Sequence, residues 1–173
     1  FLLRPFSYED VDGLFELDTD PEVHRYLGNQ PITEKAQAEA VVALIQNQYA
    51  ENGIGRWAII DKTNSAFVGW AGLKYVTEML NGQIHYYDLG YRLIRKYWGK
   101  GIATECALAS LDFGLRRMQL NAIFAYAHVE NIGSNRVLTK VGFQNLQTVS
   151  LYNEMHHWYR LEAKEWKAGA ISK

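Results

Sequence analysis

Trp98-Gly99-Lys100-Gly101-Ile102-Ala103-Thr104 decides how the chain is read. Before it, Leu89, Tyr91 and Leu93 alternate with Asp88, Gly90 and Arg92, the two-residue period of a strand with two distinct faces. After it, Ile102, Cys106, Ala109 and Phe113 mark one helix face, with Leu108, Leu111 and Leu115 beside it. That helix reads as apolar nearly all round and is expected to be largely buried. A strand, a glycine turn and a helix make an anion site on physical grounds. The first amides of a helix have no intrahelical acceptor, and the helix dipole favours negative charge in front of them. Gly99 and Gly101 remove side chains that would block a phosphate. Thr104 adds a hydroxyl and Lys100 a charge, each worth about 0.3–1 kcal/mol when exposed, so several contacts must act together. The same residues also read as a plain strand-to-helix turn. Neither the Gly-Lys-Ser/Thr ending of a P-loop nor a dinucleotide fingerprint fits, since Thr104 stands where the latter needs its third glycine.

Working outward, Ala122 to Ala127 reads as a strand and Asn131 to Val141 as a helix ended by Gly142. Phe143 to Tyr152 and His156 to Ala163 read as two more strands. Upstream, Trp57 to Ile60 and Phe67 to Tyr75 are β-prone runs, and Asn81-Gly82 predicts a tight turn into a strand near Gln83 to Leu93. Leu2 to Pro5 reads as a first strand, and Ser7-Tyr8-Glu9-Asp10 as a capping box before a helix carrying Val11, Leu14, Phe15 and Leu17. Pro21 starts a short helix. Thr33 is expected to cap another, with Ala40, Val41, Leu44, Ile45 and Tyr49 at helical spacing and Gly53 at its end. The pattern predicts a mixed α/β fold, an antiparallel meander followed by a βαβ crossover.

The 173 residues fit one domain, 1–173, without linker or repeat. A net charge of −1 argues against a nucleic-acid surface, and no apolar run nears a membrane span. The single cysteine, Cys106, rules out an internal disulfide framework and fits a reducing cytoplasm. Its place on a helix face predicted to be buried marks it as an inert core thiol.

Four segments in this order and spacing resemble the GNAT superfamily of N-acetyltransferases, nearest its RimJ/RimL-type branch. They are Leu3-Arg4-Pro5 with Asp20-Pro21-Glu22-Val23, Leu89-Gly90-Tyr91-Arg92-Leu93, Tyr97 to Glu105, and Glu130-Asn131-Ile132-Gly133-Ser134-Asn135 through Gly142-Phe143. The resemblance implies an α/β (α+β) fold: a mixed, mostly antiparallel sheet of about seven strands, about four flanking helices, and a V-shaped splay between the fourth and fifth strands. It implies acetyl-CoA as co-substrate and no metal. The backbone of Gly99, Lys100, Gly101, Ile102, Ala103 and Thr104 would hold the pyrophosphate. The strand edge at Tyr91 and Leu93 would pair with the pantetheine arm, and Asn131 would bond the pantetheine or thioester region. It also implies cytoplasmic location and a homodimer.

Two positions depart from the family pattern. Lys96, beside Arg95, replaces the usual glutamine or arginine. Leu138 stands where the family has a tyrosine that protonates the departing thiolate, which makes Ser134 the substitute candidate for the acid, a contact to the cofactor or a helix cap being its other reading. Asp88, on the face opposite Leu89 and Tyr91, is the first candidate base, with His128 and Glu130 behind it. A solvated strand carboxylate is the bland alternative for Asp88. His156 and His157 read as surface strand residues. Tyr86, Tyr87, Tyr152 and Trp158 read equally as acceptor lining or sheet packing. The implied reaction is acetyl transfer to a primary amine by direct attack. The acceptor is a protein N-terminal α-amine or a small-molecule amine such as a polyamine, amino acid or antibiotic. An acyl-CoA-binding domain without catalysis and a nucleotide-binding regulatory module are the rival classes.

Overall fold

The alternation at residues 88–93 is a strand, β4 (Tyr86–Leu93), and it lies at the centre of a seven-stranded sheet in the computed structural model, which describes residues 1–166. The expected domain, 1–173, runs past those residues. In chain order the other strands are β1 (Leu2–Pro5), β2 (Trp57–Ile60), β3 (Phe67–Val76), β5 (Ala122–His128), β6 (Gln144–Leu151) and β7 (Glu154–Glu162). The helices are α1 (Val11–Thr19), α2 (Pro21–His24), α3 (Lys35–Asn52), α4 (Ile102–Asp112) and α5 (Ile132–Lys140). The sheet order is β1-β2-β3-β4-β5-β7-β6, and β4–β5 is the parallel pairing. Asn81 and Gly82 both take positive φ, 48° and 71°, and Leu80 bridges Gln83, which is the tight turn read from the sequence.

Helices α4 and α5 cover one face of the sheet. Ala107 and Leu111 of α4 and Leu138 of α5 bury against Leu73, Leu89, Ile123, Ala125 and Tyr159. Helices α1 and α3 cover part of the other face, where Leu14, Leu17, Val42 and Ile45 meet Ala58 and Ile60. Arg4 of β1 clamps Asp10 at 2.8 and 2.7 Å, tying the first strand to the entry of α1.

Three local expectations shift. The cap of α3 is Glu34 rather than Thr33, because the Gln37 side chain reaches back to accept from both Thr33 N and Glu34 N, at 2.8 and 3.0 Å. The buried side of α4 runs through Ile102, Cys106, Ala107, Ser110 and Leu111, while Ala109 and Phe113 face out. Ser110 tolerates burial because its hydroxyl donates to the Cys106 carbonyl at 2.8 Å, which hides its polarity. Tyr86 and Trp158 are sheet packing, Tyr86 edge-on against both Phe124 and Trp158, while Tyr152 is exposed.

The splay is visible in the register. β3 and β4 pair continuously from Gly69↔Leu93 to Val76↔Tyr86, but β4 and β5 share the single pair Asp88↔Phe124.

Candidate active site

Ladder geometry says what lies in the gap. Ile94 N donates to Val68 O at 3.0 Å, in the same register as the β3–β4 pairs. Antiparallel bonds alternate, so even-numbered β4 residues bond to β3 and odd-numbered ones aim their amides and carbonyls at β5. Past Leu89 the gap opens, and the amide and carbonyl of Tyr91 and the amide of Leu93 offer an edge there. The Trp98 indole takes the Leu93 carbonyl at 2.8 Å, pinning the glycine turn to the end of the strand.

Gly99 and Gly101 have φ of 72° and 80°, a conformation other residues adopt at a cost. Gly101 caps α4 without any side-chain acceptor, and the first helical bond is Glu105 N to Gly101 O at 3.1 Å. The amides of Ile102, Ala103 and Thr104 therefore lack helical acceptors. Gly99, Gly101, Ile102, Ala103 and Thr104 all line a cavity of about 740 Å³. Lys100 does not line it; its ammonium lies 5.5 Å from the Tyr97 ring centre. Lys96 and Arg95 are likewise turned away, paired with Glu16 at 2.8 Å and Asp20 at 3.1 Å. The positive end of the cavity is thus made by backbone amides.

The opposite wall is the start of α5. Asn131 caps that helix, its Oδ1 accepting from Ser134 N at 3.0 Å, while its Nδ2 has no partner among the described residues. Ser134 Oγ sits 3.1 Å from the Tyr91 hydroxyl, which itself donates to the Ser134 carbonyl at 3.0 Å. Burial pushes the Tyr91 phenol up, so it stays protonated. The reading of Tyr91 through its backbone missed this side-chain contact, since nothing in the sequence joins residues 91 and 134. Leu138 is 1% exposed and brings no proton donor.

The cavity continues through the gap to the other face, where Tyr26, Arg56, Trp70, Asp88, Tyr126, His128 and His156 line it. Asp88 is not a free base. Arg56 Nη2 binds its carboxylate and Arg56 Nη1 donates to its carbonyl at 2.7 Å. Burial raises the Asp88 carboxyl while the Arg56 guanidinium opposes that rise. Arg56 also lies over Trp70, which shares its ring with Arg92 at 5.4 and 5.2 Å. Arg92 in turn binds Asp18 at 2.6 Å. Arg56 had no signal in the sequence, because its partner is 32 residues away on another strand.

His156 is not a surface residue. It is 5% exposed, because the register His128↔His156 folds it against the end of β5, beside the cavity. His157 points the other way and meets Thr148 at 3.0 Å. Glu130 is exposed at the rim. Cys106 is buried, its thiol pushed up to about 12, as an inert core thiol requires.

Comparison with known proteins agrees with this geometry. The model of the Acetyltransferase (GNAT) domain matches residues 1–144. The chain is 33% identical to an uncharacterized N-acetyltransferase, p20, of Bacillus licheniformis over 142 residues, 82% of this chain and 78% of the relative. The fold matches a ribosomal-protein-S5-alanine acetyltransferase from Vibrio fischeri with TM-score 0.76 at 18% identity, covering 95% of this chain and 94% of that one. It matches a Vibrio cholerae spermidine N-acetyltransferase, solved with CoA and spermine, with TM-score 0.76 at 16% identity over 95% and 96% of the two chains. By its sequence match and its sheet, the chain belongs to the GNAT family of acetyltransferases and is an acetyl-transferring enzyme.

Proposed function

We propose that the protein transfers the acetyl group of acetyl-CoA to a primary amine in a ternary complex, a protein N-terminal α-amine being the first candidate acceptor. The observation that carries this reading is a single cavity crossing the sheet at the β4–β5 gap, with orphan helix amides at one end and titratable side chains at the other. The residues fit the co-substrate. The amides of Gly99, Gly101, Ile102, Ala103 and Thr104 donate to the pyrophosphate, the Tyr91–Leu93 edge pairs with the pantetheine arm as an added strand, and the Asn131 side chain reaches the same arm.

The amine attacks the thioester carbonyl from the far face, and a free strand amide of β4 stabilises the developing oxyanion. Ser134 donates a proton to the departing sulfur, its side chain held by the Tyr91 hydroxyl. Asp88 enters as the anchor of Arg56. An α-amine, with a free pKa of about 8, needs less help to become neutral than a lysine amine at about 10.4. The polyamine reading rests on the spermidine acetyltransferase among the fold matches.

The test measures thiol release from acetyl-CoA over a panel containing an alanyl peptide, spermidine and free amino acids. Turnover on the peptide supports the first acceptor class, and turnover on spermidine alone moves the assignment to polyamines. Tight acetyl-CoA binding without turnover on any amine, peptide or ribosomal protein sinks the catalytic reading in favour of an acyl-CoA sensor. Melting-temperature shifts with ATP but not acetyl-CoA would sink the site assignment altogether.

A further inference from the structure

The acceptor half of the cavity holds two imidazoles whose tautomers the backbone sets in opposite senses. His156 Nδ1 lies 3.1 Å from the Glu154 carbonyl, an atom that only accepts, so this nitrogen carries the hydrogen. Its Nε2 then carries a lone pair. That atom has no partner among the described residues, yet it does not count among the buried orphan atoms, so it keeps an opening in a residue that is 5% exposed and lines the cavity. His128 is the reverse. Glu130 N–H donates to its Nδ1 at 3.1 Å, so its Nε2 carries the hydrogen in the neutral ring. The two rings face each other edge-on at 5.5 Å, and the Tyr26 ring stacks on His128 at 5.3 Å.

The other groups along this half are spoken for. Asp88 is held by Arg56, Arg92 by Asp18, and Glu130 and Glu22 lie on the exposed rim. Burial raises the Tyr126 hydroxyl, which keeps it protonated. Among the described residues that line this half, His156 Nε2 is the basic lone pair without a partner. Its location suits the chemistry. Asp88↔Phe124 sets the parallel register, so residues 126–128 run alongside the open edge of β4, and β7 lies one strand, about 4.8 Å, beyond them.

We propose that His156 is the general base of the transfer, its Nε2 taking the proton from the attacking amine while His128 presents an Nε2–H donor beside it. This rests on the acetyl-transfer reading of the same cavity. The amine nitrogen forms the C–N bond as the carbonyl π pair moves to oxygen. The nitrogen becomes strongly acidic in that step and passes its proton to His156 Nε2. The oxyanion then reforms the carbonyl, the C–S bond breaks, and the sulfur leaves with the pair and is protonated. Ser134 supplies that proton, so the products are the amide, the free thiol, a His156 imidazolium and a Ser134 alkoxide, and the imidazolium proton returns through water to Ser134. Burial lowers the His156 imidazole below its usual 6.5, against which the Glu154 carbonyl and carboxylate act in the raising direction and His128 in the lowering one. Tyr126 of β5 packs edge-on against the ring at 5.7 Å. A neutral ring at pH 7 is the form a base requires.

Two measurements test it. Nitrogen-15 NMR of histidine-labelled protein at pH 7 should show His156 as the neutral Nδ1–H tautomer. An Nε2–H tautomer or an imidazolium at His156 overturns the assignment without any acceptor present. Kinetics with the alanyl peptide and spermidine as probes should show kcat for His156→Gln reduced about 10²–10⁴-fold, with unchanged acetyl-CoA affinity. Below pH 6.5 the wild-type kcat/KM profile should steepen beyond the slope that amine deprotonation alone gives, this steeper acidic limb should vanish in the variant, and added imidazole should restore part of the rate. Wild-type kcat and an intact acidic limb in His156→Gln overturn the base while leaving acetyl transfer standing. Absence of wild-type turnover on both probes and on the wider amine panel overturns the transfer reading and the base with it.

Discussion

At Gly101 one backbone angle serves the fold and, on the proposed reading, the cofactor. Its φ of 80° lets the chain turn into α4 with the first amides facing the cavity. Gly101→Val should weaken acetyl-CoA binding at least about tenfold, since losing contacts of about 0.3–1 kcal/mol each reaches 1.4 kcal/mol within two or three. The left-handed angle adds about 1–2 kcal/mol of strain, so titration calorimetry should be read beside the melting temperature of the unliganded protein. Unchanged affinity would refute the pyrophosphate assignment. Ser134 is the second residue whose role is decided locally. Ser134→Ala should lower kcat by about 10²-fold with the KM for acetyl-CoA unchanged; full kcat with a raised KM would make it a binding residue instead. The glycine turn and the start of α5 were legible in the sequence because both are local. Tyr91 behind Ser134 was not, because the contact joins β4 to α5 across 43 residues.

At the scale of an element, α5 shows a cap doing two jobs. Asn131 satisfies the Ser134 amide, which removes one orphan donor from the helix start and holds Ser134 in the cavity wall. Asn131→Ala should cost about 0.5–2 kcal/mol in urea denaturation and loosen acetyl-CoA binding; a stability loss with unchanged binding would make the residue a cap alone. Strand β4 is the other element with a divided role. Its even-numbered residues complete the sheet and its odd-numbered residues leave an edge. The alternation of side chains was read from residues 88–93, and the structure keeps it: Leu89, Tyr91 and Leu93 pack under α4 while Asp88 and Arg92 meet Arg56 and Trp70. Which side of the strand carried free amides could not be read, because that depends on where β5 stops pairing.

For the whole molecule, the buried charges and histidines govern stability. Arg56 and Asp88 are both about nine-tenths buried, so removing one strands the other. Arg56→Met should destabilise by about 3–5 kcal/mol, while Arg56→Met with Asp88→Asn should recover much of that loss in thermal denaturation. His24 and His156 are both held below the usual 6.5, chiefly by burial. Between the lowered folded values and the unfolded value the unfolded chain binds more protons, so stability is full above pH 6.5 and falls as pH drops below it. The urea midpoint should fall from pH 7 to pH 5, and His24→Gln with His156→Gln should flatten that slope; an equal slope in the double variant would assign it elsewhere.

By itself the sequence determined the strand periods, the glycine turn and the order of motifs, hence the family and the end of the cavity where the cofactor is proposed to bind. Those features depend on residues a few positions apart, where sterics and hydrogen-bond geometry act directly. Only the tertiary structure decided which groups are free to move protons. Asp88 was tied up by an arginine 32 residues away, and His156 was brought from the surface to the cavity by its register with β5. A side chain's availability is set by its neighbours in space, and the long-range pairing of strands chooses them.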